Sequence, residues 1–155
     1  MMQYQAEPFS KWCREAIERG LFEAHWREVG VNQDIKKLDP DLNKCFGLER
    51  AQALPAYTAR SDGALMGYAV FFCSTGLHYR EWVTAYADVL YMVPEARGNA
   101  SQLIRYCERE LLARGVHEIV YHFKTARDKE VLMRRLGYDD FEHLYHKVLT
   151  ATEPD

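Results

Sequence analysis

The chain has 155 residues, 48% of them hydrophobic, and a formal net charge of −3. That size and composition predict one domain, 1–155, with its own core, and the acidic balance argues against nucleic acid as a partner. No apolar run approaches bilayer length and the start MMQYQAEPFSKW lacks a signal-peptide core, so a cytoplasmic protein without a membrane partner is expected.

In chain order, Ser10 is placed to cap a helix running to about Gly20, with Trp12, Cys13, Ala16 and Ile17 on one face. A second helix spans Leu21 to Val29, carrying Phe22, His25, Trp26 and Val29 at helical spacing. Asp39-Pro40 reads as an N-cap with proline at the first helical position, opening a helix to about Ala53. The period then changes. Pro55–Arg60 and Leu65–Cys73 read as strands joined by the turn signal Ser61-Asp62-Gly63, and Gly76 to Arg80 reads as a second turn. A strand from Trp82 to Val93 follows. A helix from about Ala100 to Arg114 puts Leu103, Ile104, Cys107 and Leu111 on one stripe, ended by Gly115. His117–Phe123 is a strand, Ala126–Leu136 a helix stopped by Gly137, and Phe141–Leu149 a final strand. Thr150 to Asp155 is a frayed tail.

The four cysteines are widely spaced with no CxxC pair, which favours buried free thiols over a disulfide or zinc site. His143 and His146 fall in a predicted strand, where their side chains would point to opposite faces, so no metal pair is assigned there. Arg127, Arg134 and Arg135 cluster, and a solvated helix face accounts for them.

The segment Pro94-Glu95-Ala96-Arg97-Gly98-Asn99, leading into a helix at Ala100-Ser101, is placed to deliver backbone N–H groups to the helix start. Such amides, backed by the helix dipole, bind phosphate or pyrophosphate.

The order of elements, with VLYMVPEARG entering a helix and a later RRLGY, resembles the GNAT superfamily of acyl-CoA-dependent N-acetyltransferases, in its compact bacterial and phage form. The resemblance runs from about Phe9 to Leu149 and is strongest from Asp88 to Tyr138. It implies an α+β fold: a mixed, mostly antiparallel sheet with a β-α-β crossover and flanking helices. It also implies acetyl-CoA as co-substrate, entering where the strand Val83–Val93 splays from His117–Phe123. The family's Gln/Arg-x-x-Gly-x-Gly/Ala loop aligns in two registers. With Arg97 first, the later glycine positions become Ala100 and Gln102. With Gly98 as the central glycine, Ala100 takes the last position and Glu95 the first, and the helix stripe stays in phase, so this register is preferred. Arg97, Gly98, Asn99, Ala100 and Ser101 are therefore the expected phosphate-binding residues. The backbone of Tyr91, Met92 and Val93, where the family strand carries a bulge, is the expected donor to the thioester oxygen.

Acetyl transfer also needs a base for the amine and an acid for the leaving thiolate. Asp88 is the base candidate: a carboxylate mid-strand among apolar neighbours has its pKa raised. A hydrogen-bonded structural aspartate is the competing reading. Tyr86, Asp88, Leu90 and Met92 should share one sheet face, placing Tyr86 beside Asp88. His122 is a candidate proton relay. The family's acid, a tyrosine ahead of the glycine in the segment aligned with Leu132–Tyr138, is replaced by Met133 here. The N-terminal helices and the Gly76–Arg80 loop, with His78, should wall the acceptor, a small-molecule or protein amine. A homodimer is compatible with the chain. The second functional reading is a GNAT-fold binding module without catalysis.

Overall fold

The computed structural model describes residues 1–149; Thr150 to Asp155, expected as a tail, lies outside them. Five strands form one sheet in the order β1 (Met2–Ala6), β2 (Ala56–Ser61), β3 (Ala64–Gly76), β4 (Tyr79–Met92), β5 (Glu118–Val120). The first four pair antiparallel, and β4 pairs parallel with β5 through the helix α4 (Ala100–Ala113). The expected α+β architecture, with one crossover in a mostly antiparallel sheet, is present. β1 is an addition to the elements read from sequence; only five residues long, it lines up against β2 from Met2↔Ser61 to Ala6↔Tyr57.

Helices cover both faces. On one side lie α1 (Phe9–Glu18), α2 (Leu21–Val29) and α3 (Leu42–Arg50). Trp12 of α1 stacks on Tyr68 of β3 with centroids 4.9 Å apart, and its indole N–H donates to the Glu7 carbonyl. On the other side α4 buries Leu103, Ile104, Cys107 and Leu111, the predicted stripe, while Tyr106 meets Tyr57 edge-on. Each such fully buried aliphatic side chain contributes roughly 1.5–3 kcal/mol.

Local chemistry sets the boundaries. Asp62 and Gly63 both have positive φ, so the β2–β3 hairpin closes through a two-residue primed turn that suits the strand twist. Gly20, at φ 67°, takes the left-handed conformation that lets α2 start two residues after α1 ends. Two cap assignments shift. α1 begins at Phe9, so the Ser10 hydroxyl does not cap it and bonds Glu49 of α3 instead. The third helix is capped by Asp41, which accepts from the Lys44 N–H at 2.9 Å, and not by Asp39; it ends at Arg50.

Three further expectations change. The second turn is only Leu77-His78, with β3 and β4 running on either side of it to the hairpin tip, and His78 is not among the residues that line the cleft described below. The helix predicted over Ala126–Leu136 is shorter, α5 (Glu130–Arg135), preceded by a 3₁₀ turn at Thr125–Arg127. Phe141–Leu149 forms no strand and lies exposed.

Candidate active site

Strand β4 is long and β5 short. They pair only at Thr84–Tyr86 against Glu118–Val120. From Ala87 onward β4 has no partner on that edge, and a cleft of about 460 Å³ opens between Ala87–Met92 and Tyr121–Lys124. His25 and Glu28 of α2, Arg97 and Ala100 ahead of and at the start of α4, and Arg127 and Lys129 before α5 complete its walls.

A bulge accompanies the parting. Val70 of β3 faces Val89 and Phe71 faces Ala87, which leaves Asp88 as the extra residue. A bulge twists its strand and reverses the alternation beyond it. Tyr86, opposite Phe72, and Tyr91, opposite Tyr68, consequently share the face covered by α1 and α2; Leu90 and Met92 turn to the other. The single face expected for Tyr86, Asp88, Leu90 and Met92 is thus corrected, and the bulge lies at Asp88, not at Tyr91–Val93. The backbone follows suit. The Val93 N–H donates to the Met66 carbonyl of β3 at 2.9 Å. Alternation along the strand then turns the Met92 N–H to the opposite edge, the one β5 has left.

The three catalytic candidates gather here. The rings of Tyr86 and His122 stack at 6.3 Å and 5° across the last rungs of the β4–β5 ladder, and His122 and Asp88 line the cleft together. Asp88 is open at its tip, yet the surrounding walls withdraw enough water to raise its carboxyl pKa, with desolvation the one cause. No hydrogen bond reaches it among the described residues. Its charge in turn helps raise the thiol pKa of Cys45 on α3, behind burial as the main cause. His25 stacks on Tyr91 at 4.9 Å, and burial lowers its pKa against the pull of Glu28.

Of the expected cofactor residues, Tyr91, Met92, Arg97 and Ala100 line the cleft, whereas Val93, Gly98, Asn99 and Ser101 do not. The segment Pro94–Asn99 is a 3₁₀ helix running straight into α4, and the Ala100 N–H is already donated to the Arg97 carbonyl. The loop of free amides anticipated there is accordingly a closed turn. A Cβ built on Gly98 would meet nothing within 4 Å, so glycine is not required for space at that position. Arg97 instead holds Glu28, Nη2 to Oε1 at 2.7 Å.

Side chains not assigned to the site from sequence also reach the cleft. Lys124, Arg127 and Lys129 line the cleft beside Arg97; Arg127 therefore belongs to this wall and not to a solvated helix face. Tyr121 also lines it. Its ring meets that of Tyr138 edge-on, its buried hydroxyl lies toward Tyr138 and Glu108, and burial holds its pKa well above the usual phenol value. Met133, in the slot where the resemblance calls for an acid, is buried and carries no proton to give. Tyr121 could have been noticed only by its pairing with Phe123 at strand spacing. Among the described residues no group of His, Cys, Asp and Glu is arranged to hold a metal ion.

No family model matches the chain, and no curated protein matches it significantly. Solved structures do. An aminoglycoside acetyltransferase from an uncultured soil metagenomic sample superposes with a TM-score of 0.73 at 14% identity, covering 97% of this chain and 99% of that one. Glucosamine-6-phosphate N-acetyltransferase from Arabidopsis thaliana gives 0.69 at 8% identity, with coverages of 97% and 99%. A predicted acetyltransferase from Clostridium acetobutylicum, solved with acetyl-CoA, gives 0.66 at 15% identity and 96% of each chain. The fold is that of the GNAT-type acetyltransferases.

Proposed function

We propose that this GNAT-fold protein is an N-acetyltransferase that passes an acetyl group from acetyl-CoA to a small-molecule or protein amine in the cytoplasm, by direct attack in a ternary complex. The observation that carries the reading is the gap that opens between β4 and β5 from Ala87 onward, on the edge toward which the Met92 N–H turns. A slim pantetheine arm fits such a gap, and Tyr121 is among the residues that line it.

Acetyl-CoA would supply the activated acyl group; the protein's residues would do the rest. Asp88, its pKa raised, takes a proton from the acceptor amine, directly or through a water. Tyr86 and His122 flank that position and orient the amine. The Met92 N–H donates to the oxygen on which charge builds. Tyr121, protonated at neutral pH, would be the group to give a proton to the departing sulfur. Arg97, Lys124, Arg127 and Lys129 meet the phosphates as side-chain cations, in place of a ring of loop amides.

The closed 3₁₀ turn at Pro94–Asn99 and the methionine at position 133 favour a second reading, a binding module that has lost turnover. Calorimetric titration with acetyl-CoA, followed by thiol release in the presence of a panel of amines, separates the two. Saturable binding with amine-dependent release is expected of the enzyme. A protein whose melting temperature stays flat at millimolar acetyl-CoA, where ligand at ~100 times its Kd adds roughly 2.7 kcal/mol, is not an acetyl-CoA enzyme.

A further inference from the structure

Along β3 the residues of one sheet face, Tyr68, Val70 and Phe72, are 1%, 3% and 39% exposed, so the cover given by the N-terminal helices ends short of Phe72. Tyr86 of β4 stands directly opposite Phe72 and is 40% exposed. An imidazole extends the row. Val120 of β5 pairs with Tyr86, and His122 lies two residues on, its exposed ring parallel to that of Tyr86 at 6.3 Å. Asp88 borders these rings. Its charge reaches Cys45 of α3, which places the carboxylate on the helix side of the sheet with them. Apolar side chains scattered singly over a surface are ordinary, but two aromatic rings paired across strands at the mouth of a cleft form a patch.

We propose that Phe72, Tyr86 and His122 form a shelf on which the acceptor lies, and that this acceptor is a primary amine carried by an aromatic ring through a short tether. The inference rests on the transferase reading above and names its second substrate. The ring stacks on the exposed aromatic faces, and the ammonium is drawn to Asp88. Tyr86 and Asp88 are two residues apart, roughly 6 Å along a strand, which a two-carbon arm spans from the edge of a stacked ring. The ammonium cedes one proton to Asp88 and on to water. Its nitrogen then bonds the acetyl carbon as the carbon–sulfur bond breaks, and it releases a second proton as the thiolate takes one up. Other amines fit less well. A polyamine needs a second free carboxylate, but Glu118, the next acid along this face, already accepts from Thr84 Oγ1 at 3.3 Å. An amino sugar needs hydrogen-bond partners around its ring, where the shelf offers aromatic faces.

Thiol release from acetyl-CoA, followed with 2-phenylethylamine, butylamine, spermidine and glucosamine, tests the shelf. The kcat/KM for 2-phenylethylamine should exceed that for each of the others by about tenfold or more. Phe72→Ala should remove most of that advantage, chiefly through KM, and Phe72→Tyr, which keeps a ring, should retain it. A ring-less amine or the amino sugar used as well as 2-phenylethylamine, or an advantage untouched by Phe72→Ala, overturns the shelf and leaves acetyl transfer standing. If no amine releases thiol, the transferase reading is what has failed. Calorimetric titration of the amines into the protein then judges the shelf by itself: 2-phenylethylamine bound more tightly than butylamine supports it, and equal binding overturns it.

Discussion

Arg97, in the turn ahead of α4, reaches Glu28 on α2 at 2.7 Å, so two residues of the cleft wall pair with each other. A polyphosphate entering the cleft must compete with the Glu28 carboxylate for that guanidinium. The pair is partly exposed, and such pairs contribute about 0.2–1 kcal/mol. Removing the competitor by Glu28→Gln should therefore tighten acetyl-CoA about twofold to fivefold, while Arg97→Gln should loosen it. Calorimetry on the two variants checks both signs, and weaker binding by Glu28→Gln would mean that Arg97 needs its carboxylate to be held in place.

Asp88 makes opposite predictions for activity and stability. If it is the base, Asp88→Asn should cut turnover by about 100-fold or more while leaving acetyl-CoA affinity close to unchanged. Wild-type turnover should rise with pH through a carboxyl pKa lying above the ordinary carboxylate range. For folding, a carboxyl with a raised native pKa binds protons more readily in the native state than in the unfolded one. Its contribution is complete below the unfolded value, about 3.9, and is lost as pH rises through the native value. Asp88→Asn should thus raise the melting temperature at pH 7 and do little at pH 3. A hydrogen-bonded structural aspartate would show the reverse, a lower melting temperature at pH 7.

Tyr121→Phe removes a buried hydroxyl that lies against Tyr138. A hydrogen bond to Tyr138 contributes at most about 1 kcal/mol net, so the variant should fold with a stability close to that of the wild type. Turnover should nevertheless fall, with the alkaline limb of the pH–rate profile flattened, because the proton for the sulfur would then come from water. Unchanged kcat would assign the proton to some other group.

Much of this geometry was legible in the sequence because local chemistry dictated it. Asp62-Gly63 could only turn, the stripe Leu103, Ile104, Cys107 and Leu111 could only pack, and a carboxylate between Ala87 and Val89 had to lose water. The bulge was not legible, since nothing in Ala87-Asp88-Val89 marks an extra residue; it is decided by the register against β3, a non-local contact. Missing it put Leu90 and Met92 on the wrong face. Pro94–Asn99 read as an amide-rich loop because Pro and Gly punctuate both loops and 3₁₀ turns. The cations at 124, 127 and 129 come from a stretch with no motif and reach the cleft only through the path of the chain after β5.

The longest-range test of stability concerns the start of the chain. Glu7 is buried, and its carboxylate accepts from Thr58 Oγ1 at 2.6 Å and from Arg60 Nε and Nη2 at 3.0 Å each; Arg60 also reaches Glu15 at 2.8 Å. Burial alone would raise the Glu7 pKa, but Arg60 and Thr58 overcome it, and the net direction is down. The same balance, with Arg60 and the Leu65 N–H as its lowering partners, depresses Glu15. A depressed carboxyl pKa adds stability that is complete above the unfolded value, about 4.3, and disappears as pH falls through the native value. The wild type should accordingly lose stability below about pH 4. Arg60→Met leaves buried Glu7 with only the exposed Lys11, at 4.0 Å, as a cation, and breaking one side of a buried pair costs up to about 3–5 kcal/mol. Urea unfolding at pH 7 should show that loss, and the gap between variant and wild type should narrow as pH falls through the depressed native value of Glu7. A gap that stayed constant with pH would mean that Arg60 contributes through packing and not through charge.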